Sequence, residues 1–364
     1  MSYLPANAWE FHLDNMPGFE KSMERVYAWY NREVIDRAPV RFQAHNAFVE
    51  QANQAYPSSN VRDRWYDAEF QVETYLKQIE GQTFQGETFP VFWPNLGPEV
   101  YAAFFGTELT YGEVTAWATP QVVEWDDIAT LKFDKTNAYF RGLETLTQAA
   151  LERCEGKYIV GYSDFHPGMD AVAAWRDPQQ LCFDLIEAPD KVVEMANIAN
   201  SHYKEAFDHF DAMLKACNQP SVTWLGIPSY GRMHVPSCDF AALISPAWFE
   251  EYCLPVILRE VEWFDQNVFH VDGRGVLKNI DRIMDIPKVH AIQWVQGMGD
   301  DYPIMQWVSV IQHIQKRLPV IIDLSLSDLE PFMEAVHPEG IFLWIATENP
   351  EQERDILKRL EKWT

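Results

Sequence analysis

The chain has 364 residues, with 29 Lys+Arg against 54 Asp+Glu and a formal charge of −25. A hydrophobic fraction of 47% excludes a disordered chain, and the length is enough to bury a full core. Such acidity argues against nonspecific nucleic-acid binding, which needs Lys and Arg to displace phosphate counterions, and against anionic membrane surfaces.

Helical and strand-like segments alternate along the sequence. A helix predicted over 18–37 leads into a strand over 39–43, and a second over 62–79 into 89–93. The pattern repeats as helix 137–154 and strand 158–162, then helix 190–214 and strand 221–225. It continues as helix 246–264 and strand 268–271, 276–284 and 291–295, 304–316 and 319–323, 327–335 and 341–345. A helix over 350–362 closes the chain. Residues 107–134, rich in β-branched residues and turn signals, read as an insertion or extended loop. Eight strands in this alternation predict an α/β protein, a single (β/α)8 TIM barrel over about 37–364 with an N-terminal helical extension over 1–36. A doubly wound sheet is the alternative. No GxGxxG follows the first strand and no GxxxxGK[ST] occurs, so nucleotide binding lacks its usual sequence support.

The first fifteen residues carry no basic region followed by an apolar run, so no signal peptide is expected. No stretch approaches the ~18 apolar residues of a membrane span. The five cysteines are odd in number and form no CxxC pair, which predicts reduced thiols in a cytoplasmic protein. The 14 Trp, 15 Tyr and 22 Phe have two readings, a core of large side chains or the walls of a ligand cavity.

In a barrel of this kind chemistry sits where strands end and βα loops begin. His270 and Asp272 share one face of the fifth predicted strand, and Asp164 and His166 form a second i, i+2 pair after the third. Cys238 and Asp239 lie near the fourth, Gln293 and Trp294 end the sixth, Asp323 the seventh, and Glu348 follows the eighth. Two uses suit this set. One is a zinc site of His270 and Asp272 joined by Cys238, His166 or Glu348, with an open coordination position. The other is acid/base work by carboxylate–imidazole pairs. Arg274 is a candidate to hold an anionic group or to form a structural ion pair. Asp170 is a candidate helix cap, and Trp93 and Trp294 are candidate pocket walls.

The run Cys238-Asp239-Phe240-Ala241-Ala242-Leu243-Ile244-Ser245-Pro246, with Phe249-Glu250-Glu251 and Leu254-Pro255, resembles the uroporphyrinogen decarboxylase superfamily. So do Phe269-His270-Val271-Asp272-Gly273, Leu277, Ile280-Asp281, Ile286-Pro287 and Ala291-Ile292-Gln293-Trp294. Upstream, Asp184-Leu185, Ala188-Pro189-Asp190 and Arg37-Ala38-Pro39-Val40 continue the likeness, which covers roughly Arg37 to the C-terminus. It implies a (β/α)8 barrel and one of two activities. The first is decarboxylation of uroporphyrinogen without metal or organic cofactor. The second is methyl transfer involving a corrinoid protein, often with zinc activating a thiol acceptor.

The decarboxylases carry an arginine-rich RQAGRY loop after the first strand. Here the stretch reads Gln43-Ala44-His45-Asn46-Ala47-Phe48, without arginine, and their strand-two aspartate has no clear match near Trp93-Pro94-Asn95. The zinc pattern of the methyltransferases, His-x-Cys with a later Cys, is matched by His270, while Asp272 stands at the first Cys position and no Cys accompanies Ala346-Thr347-Glu348. The resemblance thus implies a methyltransferase-like enzyme acting on a small substrate, with a corrinoid on a partner protein and a harder zinc site of His270, Asp272 and Glu348. Asp164 and His166 would orient the substrate in a pocket shaped by Trp93, Gln293 and Trp294. A decarboxylase of a tetrapyrrole or smaller acid, served by Arg232 and Arg274, is the second reading. A non-catalytic small-molecule-binding barrel is the third.

Overall fold

The computed structural model describes residues 3–44 and 47–364. Within them the strands are β1 (Val40–Ala44), β2 (Val91–Phe92), β3 (Leu109–Tyr111), β4 (Ala116–Ala118), β5 (Ile159–Val160), β6 (Met233–His234), β7 (Gln266–Asp272), β8 (Ala291–Val295), β9 (Val320–Leu324) and β10 (Ile341–Thr347). A parallel sheet runs β1-β10-β9-β8-β7-β6 and curls into half a barrel. β2 and β5 make a separate parallel pair, and β3 and β4 an antiparallel hairpin inside the segment expected to be an insertion. His45 and Asn46, in the stretch compared with the arginine-rich loop, lie outside the described residues.

The α/β class and the parallel sheet match the sequence expectation, but eight continuous strands do not form among the described residues. The reason lies in the second to fourth units. Pro90 and Pro94 bracket β2, and proline supplies no ladder N–H. Side chains take the place of ladder bonds there: Val40 N donates to Glu87 Oε2 (2.8 Å), Phe42 N to Thr88 Oγ1 (2.9 Å) and Val160 N to Gln219 Oε1 (3.0 Å). The predicted strand 221–225 is a turn region whose Ser221 bridges antiparallel to Ser229. Backbone bonds from Ile159 N to Pro90 O (2.9 Å), Gly161 N to Phe92 O (2.9 Å) and Tyr162 N to Val222 O (2.8 Å) still link these segments side by side.

Several predicted helices break: 62–79 forms Val61–Tyr66 and Ala68–Ile79, parted at Asp67, and 276–284 divides between Gly273–Leu277 and Ile280–Met284. Residues 190–214 form Pro189–Ser201 and Tyr203–Ala216, parted at His202, which stacks on Phe133 while Tyr203 turns inward to His234. In 246–264, Pro255 has no N–H to return to Glu251, and the helix ahead of it widens into a π turn at Phe249–Cys253. Other helices begin where the sequence caps them. Asn137 accepts from Phe140 N (2.9 Å), and Asn349 accepts from Gln352 N (3.0 Å) with Pro350 following.

Strand alternation sorts side chains into two cores. Phe269, Val271, Ile292, Trp294, Val320, Ile322 and Leu343 face the helices. Val268, Ala291, Ile321 and Phe342 face the inside of the curl, packed with Leu13, Met16, Met23, Val26 and Trp29 of the N-terminal extension. Trp29 Nε1 donates to Gly340 O (3.1 Å), just before β10, so the extension closes the end of the sheet where its strands begin. The other end stays open, and His270, Asp272, Gln293 and Asp323 share the inner-facing parity there. No helix among the described residues is long and apolar enough to cross a membrane, and all five cysteines are free.

Candidate active site

His270 stands on β7 directly opposite Gln293 on β8. The pairing sets Gln293 Oε1 2.7 Å from His270 Nδ1. Nδ1–H donates, which leaves the Nε2 lone pair for a metal or a proton. The ring is held edge-on to Trp224, with centroids 5.3 Å apart. Asp272 ends the strand, and Gly273, at φ +66°, turns the chain sharply away after it. Asp239 reaches the same place from the 3-10 helix Asp239–Leu243. The ligating atoms of Asp239, His270 and Asp272 all lie within 4.8 Å of one another. Asp239 is open to the adjoining cavity, yet protein surrounds it; burial and neighbouring Asp170 push its carboxyl up to about 6, against the opposing pull of His270 and His166.

A second cluster begins on the loop after β5. His166 Nε2 lies 2.8 Å from Asp164 Oδ2, and His166 Nδ1 lies 2.6 Å from Ser237 Oγ. Ser237 spends its only proton on Asp170 Oδ2 (3.1 Å), so its oxygen must accept from Nδ1–H, while the Asp164 carboxylate accepts from Nε2–H. Both ring nitrogens therefore carry protons. Burial works against that charge, but the carboxylates of Asp164, Asp170 and Asp239 outweigh it and raise His166 to about 10. Deeper still, His234 is pushed down to about 3, mainly by burial and then by nearby His166. It sits 2.5 Å from Glu260, whose carboxyl burial raises, and 2.8 Å from the Tyr203 hydroxyl. That buried set is a neutral hydrogen-bonded core.

A cavity of about 460 Å³ is bordered by Asp239 of the first cluster and by His166 and Asp170 of the second. Its polar wall is Glu99, His166, Asp170, Asp177 and Asp239; the rest is alanine, proline, Phe240 and Leu243, with no Lys or Arg. Burial raises the Glu99 carboxyl, which accepts from Ala118 N on the hairpin. On the neighbouring rim Ala242 packs against Gly275, and Leu243, Met298 and Tyr302 stand exposed, Met298 by 85%.

Of the residues singled out from the sequence, the fold brings His270, Asp272 and Gln293 together, and Asp164 with His166. Asp239, not Glu348 or Cys238, is the third member of the potential metal triad. Glu348 lies beyond β10, exposed, its backbone N donating to Gln352 Oε1. The Cys238 thiol hydrogen-bonds with Cys253 and is buried, and both effects hold it well above the usual thiol range. Trp294 occupies the opposite face of β8 from Gln293, fully buried and edge-on to Trp307. Trp93 borders a different cavity of about 320 Å³, with Arg64, Gln78 and Asn95. Arg274 is exposed and paired with Asp301 (Nε–Oδ2 2.9 Å), and Arg232 is paired with Asp208. Asp170 does cap a helix, though not its own: it accepts from Asp239 N and Phe240 N at the start of Asp239–Leu243. Asp239 was adjacent to Cys238 in the sequence, and the missing signal was which of the two faces inward.

No family model matches the chain, and no curated protein matches it. Among solved structures the chain is similar to a methyltransferase from Methanosarcina mazei, with a TM-score of 0.59 and 13% identity over 94% of this chain and 98% of that chain. At such identity the likeness is one of fold, extending over nearly the whole of both chains.

Proposed function

We propose that the chain is a methyltransferase-like enzyme of the uroporphyrinogen decarboxylase superfamily, working in the cytoplasm. It would move a methyl group between a small substrate and a corrinoid carried by a separate protein. The observation that carries the reading is the convergence of the Asp239, His270 and Asp272 ligand atoms within 4.8 Å of one another, with Asp239 also lining the cavity. The fold shared with a methyltransferase adds to it.

The donor set fits a divalent ion such as zinc: one imidazole nitrogen and two carboxylates, with a further ligand to come from the side of Asp239 that lines the cavity. Gln293 fixes the His270 tautomer that such a ligand needs. Bound there, zinc would supply Lewis acidity to the heteroatom that carries the methyl group. The chain's own residues do the rest. Asp239, His270 and Asp272 hold the ion; the His166 cation, fixed by Asp164 and Ser237, orients the substrate; the apolar wall excludes water from the methyl group. With four carboxylates and no Lys or Arg in its lining, the cavity suits an uncharged or cationic donor and repels carboxylates, which weighs against a decarboxylase. The corrinoid would approach over the exposed rim at Leu243, Met298 and Tyr302.

Elemental analysis of the purified protein and a His270→Ala variant tests this together with methyl transfer to cob(I)alamin from small methylated donors. Zinc near one equivalent and measurable transfer are expected in the wild type, and both are lost in the variant. Undiminished transfer by His270→Ala would overturn the reading.

A further inference from the structure

Asp170 belongs to neither the metal triad nor the His166–Asp164 pair, yet it touches the neighbours of both. It follows Gly168, whose φ of +73° turns the chain into the helix Met169–Arg176. Its Oδ2 accepts from Ser237 Oγ and from Asp239 N, each at 3.1 Å, and its Oδ1 accepts from Phe240 N at 3.1 Å. Ser237 in turn accepts from His166 Nδ1 at 2.6 Å. The 3-10 helix that bears Asp239 is only five residues long and has no capping side chain of its own. A single carboxylate therefore satisfies the N–H groups at its start. His270 and Asp272 sit on a hydrogen-bonded strand, which needs no such anchor.

We propose that Asp170 is the positioning residue of the metal centre. Its carboxylate, tied through Ser237 to His166, fixes the backbone of Asp239 so that this side chain meets the ion held by His270 and Asp272. The inference rests on the metal reading given above. It also joins the two clusters into one unit, because the same carboxylate that places the metal ligand holds the hydroxyl that orients the His166 cation against the cavity.

Asp170→Asn keeps the size of the side chain but replaces one acceptor oxygen with an NH2 group, which cannot accept from Ser237 or Asp239 N–H. Asp170→Glu keeps the charge but moves it by one methylene. Asp177→Asn is the control. Asp177 lines the same cavity and also accepts from helix N–H groups, at Gln179 and Gln180, yet makes no bond to Asp239. The measurements are zinc affinity by competition with a chelator, the visible spectrum of the cobalt(II)-substituted protein, and the melting temperature. Asp170→Asn and Asp170→Glu are expected to bind zinc about ten- to a hundredfold more weakly and to alter the cobalt spectrum, as loss of an outer-shell partner does. Asp177→Asn is expected to leave both unchanged. Should Asp170→Asn fail to fold, Asp170→Glu carries the test. Wild-type affinity and spectrum in a folded Asp170 variant, or an equal loss in Asp177→Asn, would overturn the inference and leave the metal reading standing. A folded wild-type protein that takes up no metal would overturn the metal reading itself, and the inference with it.

Discussion

His270 and Gln293 are partners in the parallel ladder between β7 and β8, and the same register that pairs their backbones sets their side chains 2.7 Å apart. The tautomer of the imidazole is thus set by sheet register. Gln293→Leu removes the acceptor without adding a charge, and metal affinity is expected to fall about ten- to a hundredfold. Gln293→Glu, which keeps an acceptor oxygen, is expected to retain most of it. Chelator-competition titrations of the three proteins check this, and equal affinities would show that Nδ1 needs no partner.

The His166 imidazolium predicts a stability change in alkali. Its folded value, about 10, lies above the ordinary 6.5, so the folded state holds a proton that the unfolded chain releases. The contribution is complete below about 6.5 and is lost as pH rises toward and through about 10. Thermal unfolding followed by circular dichroism should show the wild-type melting temperature falling across that window. The slope should be shallower in His166→Gln, and parallel curves would contradict the assignment.

Glu87 is fully buried between Arg37 (2.7 Å) and Arg25 (3.2 Å), and it accepts from Val40 N where β1 begins. Glu87→Ala leaves Arg37 buried without its carboxylate and removes an acceptor from the strand. The expected loss is about 3–5 kcal/mol, measured by urea unfolding. A change well below that would mean that the arginines find other partners.

Trp294 separates packing from chemistry. Truncation to alanine is expected to cost about 3–5 kcal/mol through the cavity left beneath Trp307. Zinc affinity of the folded fraction should remain that of the wild type, because the side chain faces away from His270. A selective loss of affinity without destabilisation would place Trp294 in the site.

Helix and strand order was legible wherever apolar runs were long and unbroken. β7 to β10 fall within a residue or two of the expected spans, as Val, Ile and Phe alternate between two buried faces. The second to fourth units were less legible because prolines and side-chain bonds replace the ladder, as at Pro90, Thr88 and Gln219. The i, i+2 rule found His270 with Asp272 because strand geometry is local and periodic. It could not find Asp239, which sits on a short 3-10 helix where no fixed period says that Cys238 turns toward Cys253 and its neighbour toward the cavity.

The sequence by itself determined the alternation of helices and strands, the acidic charge, and which polar residues stand at strand ends, since each depends on local periodicity and composition. The tertiary structure decided which of them meet. Asp239 joins His270 and Asp272, Glu348 stays outside, Trp294 turns to the helices and His166 gains its second proton. Those outcomes depend on register, burial and the direction of single hydrogen bonds between segments distant in the chain, and no local pattern encodes them.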